Sequence, residues 1–250
     1  MPAFRTADRL IGWKEEPPRE APKGRRELWI ELLSWTPRIF IYHNLLTDEE
    51  CNHLVEKAKP HQVKSTVVDS DTGKSVPSNV RTSSGSWYLR RENREIADIE
   101  ARIAKYTAIP VEHGEGLQIL HYQHMEKYEA HWDYFVDSTG INTGNGGQRL
   151  ATLLIYLSDV EEGGETVFPN SAAKPHEGNA SFSTCAQRGV AFKPKKGDAL
   201  LFYSLLPNGK LDPLSLHGGC PVIRGNKWSA TKWMRVGPYA AAEGRAWRGL

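Results

Sequence analysis

The sequence predicts a mainly β protein of the α+β class, a β-sandwich or jelly roll buttressed by helices near its N-terminus. Three observations carry this reading. Amphipathic helical spacing is confined to the stretch before Pro110, roughly eight short β-type runs separated by turn residues follow it, and no internal repeat divides the chain. At 250 residues the chain has enough material for one large domain with a sizeable core.

Taken in order, residues 1 to about 28, with Glu15-Glu16-Pro17-Pro18-Arg19-Glu20-Ala21-Pro22, are polar, proline-rich and unpatterned, and read as a flexible arm. A single domain is expected over 29–240 and a tail over 241–250. Arg38-Ile39-Phe40-Ile41-Tyr42 is a β-rich run. After it, Thr47 and Glu50 form a capping box and Leu46 with Cys51 a hydrophobic staple. The helix they start runs over about 47–59, with Cys51, Leu54, Val55 and Ala58 on its inner face and Pro60 ending it. Val63 to Val68 reads as a strand, Asp69–Lys74 as a turn, and the Ser/Gly-rich Arg81–Tyr88 stretch as a mobile flap. Ile96, Ile99, Ile103 and Tyr106 define a second amphipathic helix over about 93–106. Strands are expected at about 117–123, 130–134, 149–157, 165–168, 189–193, 199–204, 214–219 and 228–236. The stretches Ser138–Gln148 and Asn170–Thr184 read as surface loops.

Composition narrows the partners. With 32 basic and 30 acidic residues the net charge is +2, and no nucleic-acid groove is indicated. No window approaches the ~18 apolar residues of a membrane helix, and Met1-Pro2-Ala3-Phe4-Arg5 lacks a signal-peptide core. Either the protein is cytosolic or a targeting segment precedes this chain. The three cysteines form neither a zinc ribbon nor a dense disulfide scaffold. Cys51 reads as buried on a helix, and Cys185 and Cys220 near strand ends leave one bridge open. Asn179-Ala180-Ser181 is a glycosylation sequon if the chain is secreted. The eight tryptophans serve both core and binding surfaces.

The chemistry centres on residues 120–135. His131 and Asp133, two apart in an aromatic-rich β-type run, put both side chains on one face and within reach of one metal ion. His113-Gly114-Glu115 and His124-Met125-Glu126 are rival pairs. His217 on a late strand completes two histidines and one carboxylate, a set that leaves metal positions open as non-haem Fe(II) oxygenases require. Ten residues on, Lys227, Ser229, Thr231 and Trp233 share one strand face. A lysine buried there needs an anionic partner, which a ligand carboxylate would supply; the competing reading is an edge-strand lysine reaching solvent.

His131-Trp132-Asp133, His217 and Lys227, with Leu117-Gln118-Ile119-Leu120-His121-Tyr122, Glu161-Glu162-Gly163-Gly164-Glu165-Thr166 and Lys196-Gly197-Asp198-Ala199-Leu200-Leu201-Phe202, resemble the prolyl 4-hydroxylases. These are Fe(II)/2-oxoglutarate dioxygenases, and the resemblance, to the plant and algal type, covers about 36–236. It implies a double-stranded β-helix (jelly-roll) core. It also implies Fe(II) held by His131, Asp133 and His217, with 2-oxoglutarate and O2 as co-substrates and ascorbate as reductant. Lys227 matches the residue binding the distal carboxylate of 2-oxoglutarate, with Tyr122 and Thr166 as helpers. Arg81, Tyr128, Arg149 and Trp233 match positions lining the peptide channel and catalytic pocket, and Trp87 joins the aromatic groove. The Arg81–Tyr88 and 138–148 segments match loops that fold over the peptide. The family's cysteine pair fits Cys185 and Cys220, and Met125-Glu126 departs from a glycine that relatives carry in a turn.

The implied reaction is C4 hydroxylation of peptidyl proline in a proline-rich polypeptide of polyproline II form, by a monomer in the endoplasmic reticulum or Golgi lumen behind an anchor absent from this chain. The rival readings are a 2-oxoglutarate oxygenase acting on a globular regulatory protein or nucleic acid, and a non-catalytic binder of proline-rich peptides.

Overall fold

A computed structural model describes residues 26–68, 75–77, 80–136, 140 and 142–240. The expected arm up to residue 25, the Asp69–Lys74 turn and the 241–250 tail lie outside the described residues. In chain order the strands are β1 (Trp29–Ser34), β2 (Ile39–His43), β3 (Val63–Lys64), β4 (Thr66–Val68), β5 (Ser75–Pro77), β6 (Ser84–Tyr88), β7 (Gly114–Tyr122), β8 (Tyr128–His131), β9 (Arg149–Tyr156), β10 (Glu162–Gly163), β11 (Thr166–Phe168), β12 (Val190–Phe192), β13 (Ala199–Tyr203), β14 (His217–Gly219), β15 (Val222–Arg224) and β16 (Lys227–Arg235). Helix α1 (Asp48–Ala58) follows β2 and α2 (Arg94–Thr107) follows β6.

Eight strands form one antiparallel sheet in the order β1-β2-β13-β9-β16-β7-β6-β3, and β12-β11-β14-β8 form a smaller one. The side-chain alternation of strands assigns the two faces of the large sheet. Leu117, Ile119, Leu153, Ile155, Trp228, Ala230 and Met234 face α1 and α2, where Cys51, Leu54, Ile96, Ile99 and Ile103 complete the larger core. Ile39, Ile41, Tyr156, Leu200 and Phe202 face the other way and meet Phe168 and Val190 of the small sheet. This is the jelly roll with helical support that the pattern predicts. The capping box is present in full, Thr47 Oγ1 accepting from Glu50 N while Glu50 Oε2 accepts from Thr47 N.

Three expectations change. Trp29–Ser34, unassigned from sequence, is edge strand β1 paired to β2. The supposed flap is half strand: Ser84–Tyr88 pairs with β7 along its length. Gly85 fits there closely: a Cβ would stand 3.1 Å from Leu120 Cδ2 and 3.2 Å from Ile119 O, so a larger residue would ask the neighbours to shift by a few tenths of an ångström. Strand β8 ends at His131, and Asp133 lies beyond it in a bend, where the chain turns the carboxylate back toward the histidine.

Candidate active site

The antiparallel register of β14 on β8 sets His217 directly opposite His131. Their rings are 4.5 Å apart between centroids. Asp133 closes the triangle, with Oδ1 3.7 Å from His131 Nε2 and Oδ2 3.7 Å from His217 Nε2. One ligand atom from each residue lies within 4.8 Å of the others. Both rings are locked from behind, His131 Nδ1 donating to Glu129 O at 2.8 Å and His217 Nδ1 to Ser215 O at 3.0 Å. A carbonyl only accepts, so each Nδ1 carries the proton and each Nε2 presents its lone pair to the centre. Thr152 Oγ1 donates to Asp133 Oδ2 at 2.6 Å and orients the carboxylate.

Charge at this centre favours a cation. Burial lowers the pKa of His131, and neighbouring His217 lowers it further, so the imidazole stays neutral. Burial alone would raise the Asp133 carboxyl, but His217, His131 and Arg149 outweigh it and hold it below the ordinary carboxylate value. An unprotonated His131 and an ionised Asp133, with both Nε2 atoms turned inward, fit a divalent metal with open positions.

A cavity of about 50 Å³ opens beside the triad. Its wall is the face of β16 that presents Lys227, Ser229, Thr231 and Trp233, with Tyr122, Thr166 and Gly219 around Lys227. The lysine is not at an edge: β16 runs between β9 and β7, and Lys227 is 3% exposed. Its Nζ donates to Gly164 O at 2.7 Å and stands 5.4 and 5.5 Å from the Tyr122 and Tyr156 ring centroids. Burial pulls its pKa down to about 8, only partly opposed by Glu165. Glu165 itself accepts from Ser183 N and Oγ and makes no contact ion pair with the lysine. Ser229 Oγ and Trp233 Nε1, both buried on this wall, also have no hydrogen-bond partner. Such groups are costly to leave unmatched, and together they fit an anionic, oxygen-rich ligand. Tyr156 OH donates to or accepts from Thr166 Oγ1 at 2.8 Å, which steadies the threonine at the cavity wall.

The remaining expected residues lie on the cavity wall or directly behind it. Tyr128 stacks on the His131 ring at 3.7 Å, and the Arg81 guanidinium lies 4.7 Å from the centroid of the Tyr128 ring. Arg81 Nη2 donates to Gln118 Oε1, while its buried Nε has no partner. Burial pushes the Tyr128 hydroxyl up to about 12, so it is a neutral donor. Trp233 lines the cavity, whereas Trp87 and Arg149 do not: Trp87 tilts against Trp233 at 5.6 Å and Arg149 lies 4.0 Å over the Trp233 ring. Trp87 therefore acts on the cavity through Trp233, while Arg149 also acts on Asp133 through its charge. The rival histidines are elsewhere. His113 Nδ1 meets Arg235 O, His124 Nδ1 meets Ile223 O, and His121 stacks on Trp228. Sequence reasoning did not single out Thr152 or Arg235 and named Glu115 only as half of a rival ligand pair; strand alternation carried the only signal for Thr152.

Cys185 and Cys220 are bonded, with Cα atoms 5.8 Å apart, and Cys51 is a free buried thiol. The bridge ties the 182–188 segment to the end of β14.

A jelly roll carrying two histidines and one carboxylate beside a buried lysine defines the class, a mononuclear non-haem iron oxygenase site. A family model described as the 2OG-Fe(II) oxygenase superfamily matches residues 117–235. Probable prolyl 4-hydroxylase 3 of Arabidopsis thaliana is 61% identical over 219 residues, covering 86% of this chain and 75% of the relative. Prolyl 4-hydroxylase 5 of the same plant is 57% identical over 219 residues, covering 86% and 74%. Among solved structures, the viral collagen prolyl hydroxylase of Paramecium Bursaria Chlorella virus-1 in its 2OG complex is 26% identical, with a TM-score of 0.57, covering 79% of this chain and 95% of that one. The chain belongs to the prolyl 4-hydroxylases, and membership brings Fe(II), 2-oxoglutarate and O2 with it.

Proposed function

We propose that this chain hydroxylates C4 of peptidyl proline in proline-rich polypeptides of the hydroxyproline-rich glycoprotein kind. Fe(II), 2-oxoglutarate and O2 together supply the oxidation, with succinate and CO2 as co-products, and ascorbate keeps the metal reduced. His131, Asp133 and His217 hold the metal. Lys227 pairs with the distal carboxylate, assisted by Tyr122, Thr166 and the unmatched Ser229 hydroxyl. Arg81 and Tyr128 hold the peptide beside the metal, and the Trp233 indole, backed by Trp87, gives a flat surface for a proline ring. A polyproline II segment suits such a surface because it has little conformational freedom left to lose. The buried walls exclude water and alternative C–H bonds.

One observation carries the reading: Lys227, a buried ammonium beside the metal triad, has no carboxylate within ion-pair reach among the described residues. The test is a panel of Ser-Pro repeats, polyproline, collagen-like triplets and single-proline peptides, scored for a one-oxygen mass gain and matched succinate. Coupled turnover of a proline-rich peptide that His131→Ala abolishes is the expected result; turnover surviving that substitution refutes it.

The reading includes a monomer working in the lumen of the endoplasmic reticulum or Golgi. The Cys185–Cys220 bridge and the exposed sequon at Asn179 support an oxidising, glycosylating compartment. Non-reducing mass mapping of the native protein tests it, and free thiols at both cysteines would overturn it.

A further inference from the structure

On β16 and β9 the register sets Arg235 opposite Arg149. Like charges across a sheet repel, and both side chains are at least nine-tenths covered or nearly so, 7% and 12% exposed. A single carboxylate reconciles them. Glu115 Oε1 accepts from Arg149 Nε at 2.8 Å and from Arg235 Nε at 2.7 Å, and Oε2 accepts from Arg149 Nη2 at 2.9 Å. Burial would raise the Glu115 carboxyl, but the two guanidiniums outweigh it and keep it ionised. Arg149 alone would satisfy Glu115 bidentately, so the second arginine is surplus to that ion pair.

What Arg235 adds is a tie to the loop preceding β9. Its Nη1 donates to Asn142 O and to Gly147 O, both at 2.8 Å. The same loop is gripped by the segment after β16, Gly237 N donating to Gly146 O and Val236 N to Gln148 O. The Phe135 ring, two residues past Asp133, lies 5.0 Å from the Arg149 guanidinium and 4.7 Å from that of Arg235. Through Glu115 the loop is thus connected to Arg149, and through Arg149 to the Trp233 ring on the cavity wall.

We propose that Arg235 is a positioning residue for the peptide substrate: it fastens the 142–147 loop to Glu115 and thereby sets Arg149 against Trp233. The proposal rests on the proline-hydroxylating reading of the site. Its effect falls on peptide binding and leaves the Lys227 end of the cavity alone, because Arg235 touches none of the groups around Lys227.

The test uses the Fe(II)-loaded full chain with the best peptide of the panel, comparing wild type, Arg235→Gln and Arg235→Lys. Losing three charge-assisted hydrogen bonds should raise peptide KM about tenfold or more in Arg235→Gln, with 2-oxoglutarate KM within about twofold. Amide exchange over 142–148 should quicken about tenfold, and Arg235→Lys, which keeps the charge without the fork, should fall between. Peptide KM within twofold of wild type would overturn the proposal. So would peptide and 2-oxoglutarate KM rising together with a lowered Tm, which marks a scaffold residue. If Arg235→Gln does not fold, Arg235→Lys is judged by the same criteria. A wild type that makes no hydroxyproline refutes the proposed function instead, and the exchange rates over 142–148 still decide whether Arg235 fastens the loop.

Discussion

Replacing Lys227 by methionine should stabilise the co-substrate-free protein while destroying its affinity for 2-oxoglutarate. Burial lowers the lysine pKa from 10.5 to about 8. Because the folded value lies below the unfolded one, the penalty is fully present below about pH 8 and disappears as pH rises toward 10.5. At neutral pH it amounts to about 3 kcal/mol, at ~1.36 kcal/mol per pH unit. Losing the hydrogen bond from Nζ to Gly164 O returns about 1 kcal/mol. The net gain is about 2 kcal/mol, a Tm rise of roughly 4–8 °C for a domain of this size. Binding moves oppositely, since a ligand carboxylate left buried without its cation loses about 2–5 kcal/mol, at least thirtyfold in affinity. Thermal melts without ligand and calorimetric titration of 2-oxoglutarate into Mn(II)-loaded protein read the two arms. A variant that melts below wild type and retains its 2-oxoglutarate affinity would show that Lys227 is a strut.

The same pKa gives a pH profile: 2-oxoglutarate affinity, measured by titration, should hold below pH 8 and then fall, by up to about tenfold per unit, as the free enzyme's ammonium deprotonates. Thr152→Val removes the 2.6 Å hydrogen bond to Asp133 and should weaken Fe(II) or Mn(II) binding about 10–100-fold with little change in Tm, read by metal titration. Met125 is 57% exposed at φ 63°, so Met125→Gly should raise stability by about 0.5–1 kcal/mol in chemical denaturation and leave turnover unchanged.

The departure at Met125 was legible only through the resemblance, which sets it against a glycine of the relatives. The Thr47–Glu50 box and the isoleucine stripe of α2 were legible in the residues themselves, each decided within a few positions. The metal site was legible only by assembly. His131 and Asp133 announce themselves two apart, but His217, on the strand expected over about 214–219, reaches His131 only through the register of β14 on β8, which no local pattern fixes. Glu115 shows the opposite failure. Beside His113 it reads as half of a ligand pair, yet the two side chains serve different partners, and the arginines that claim Glu115 come from β9 and β16. The Ser/Gly-rich β6 misled because serine and glycine are poor strand formers in general. Here the pairing of Ser84–Tyr88 with β7, a contact with residues some thirty positions away, overrides that preference.

Two lysines on β16 mark the limit of what a strand pattern conveys. Lys227 and Lys232 are 3% and 2% exposed, and the spacing of five puts them on opposite faces of one central strand. By composition they are equivalent. What separates them is α2, whose apolar face of Ile96, Ile99 and Ile103 includes the buried Glu100. Lys232 Nζ donates to Glu100 Oε1 and to Glu115 O, so its charge is matched inside the protein. Lys232→Met should therefore strand a buried carboxylate and cost about 3–5 kcal/mol, the opposite sign to Lys227→Met at neutral pH. Denaturant unfolding of the two variants side by side, without 2-oxoglutarate, reads the difference. Equal signs would mean that burial alone governs both lysines, and the absence of a carboxylate around Lys227 would then say nothing about a ligand. Opposite signs mean that the fold answers one lysine with Glu100 and leaves the other to be answered by the co-substrate.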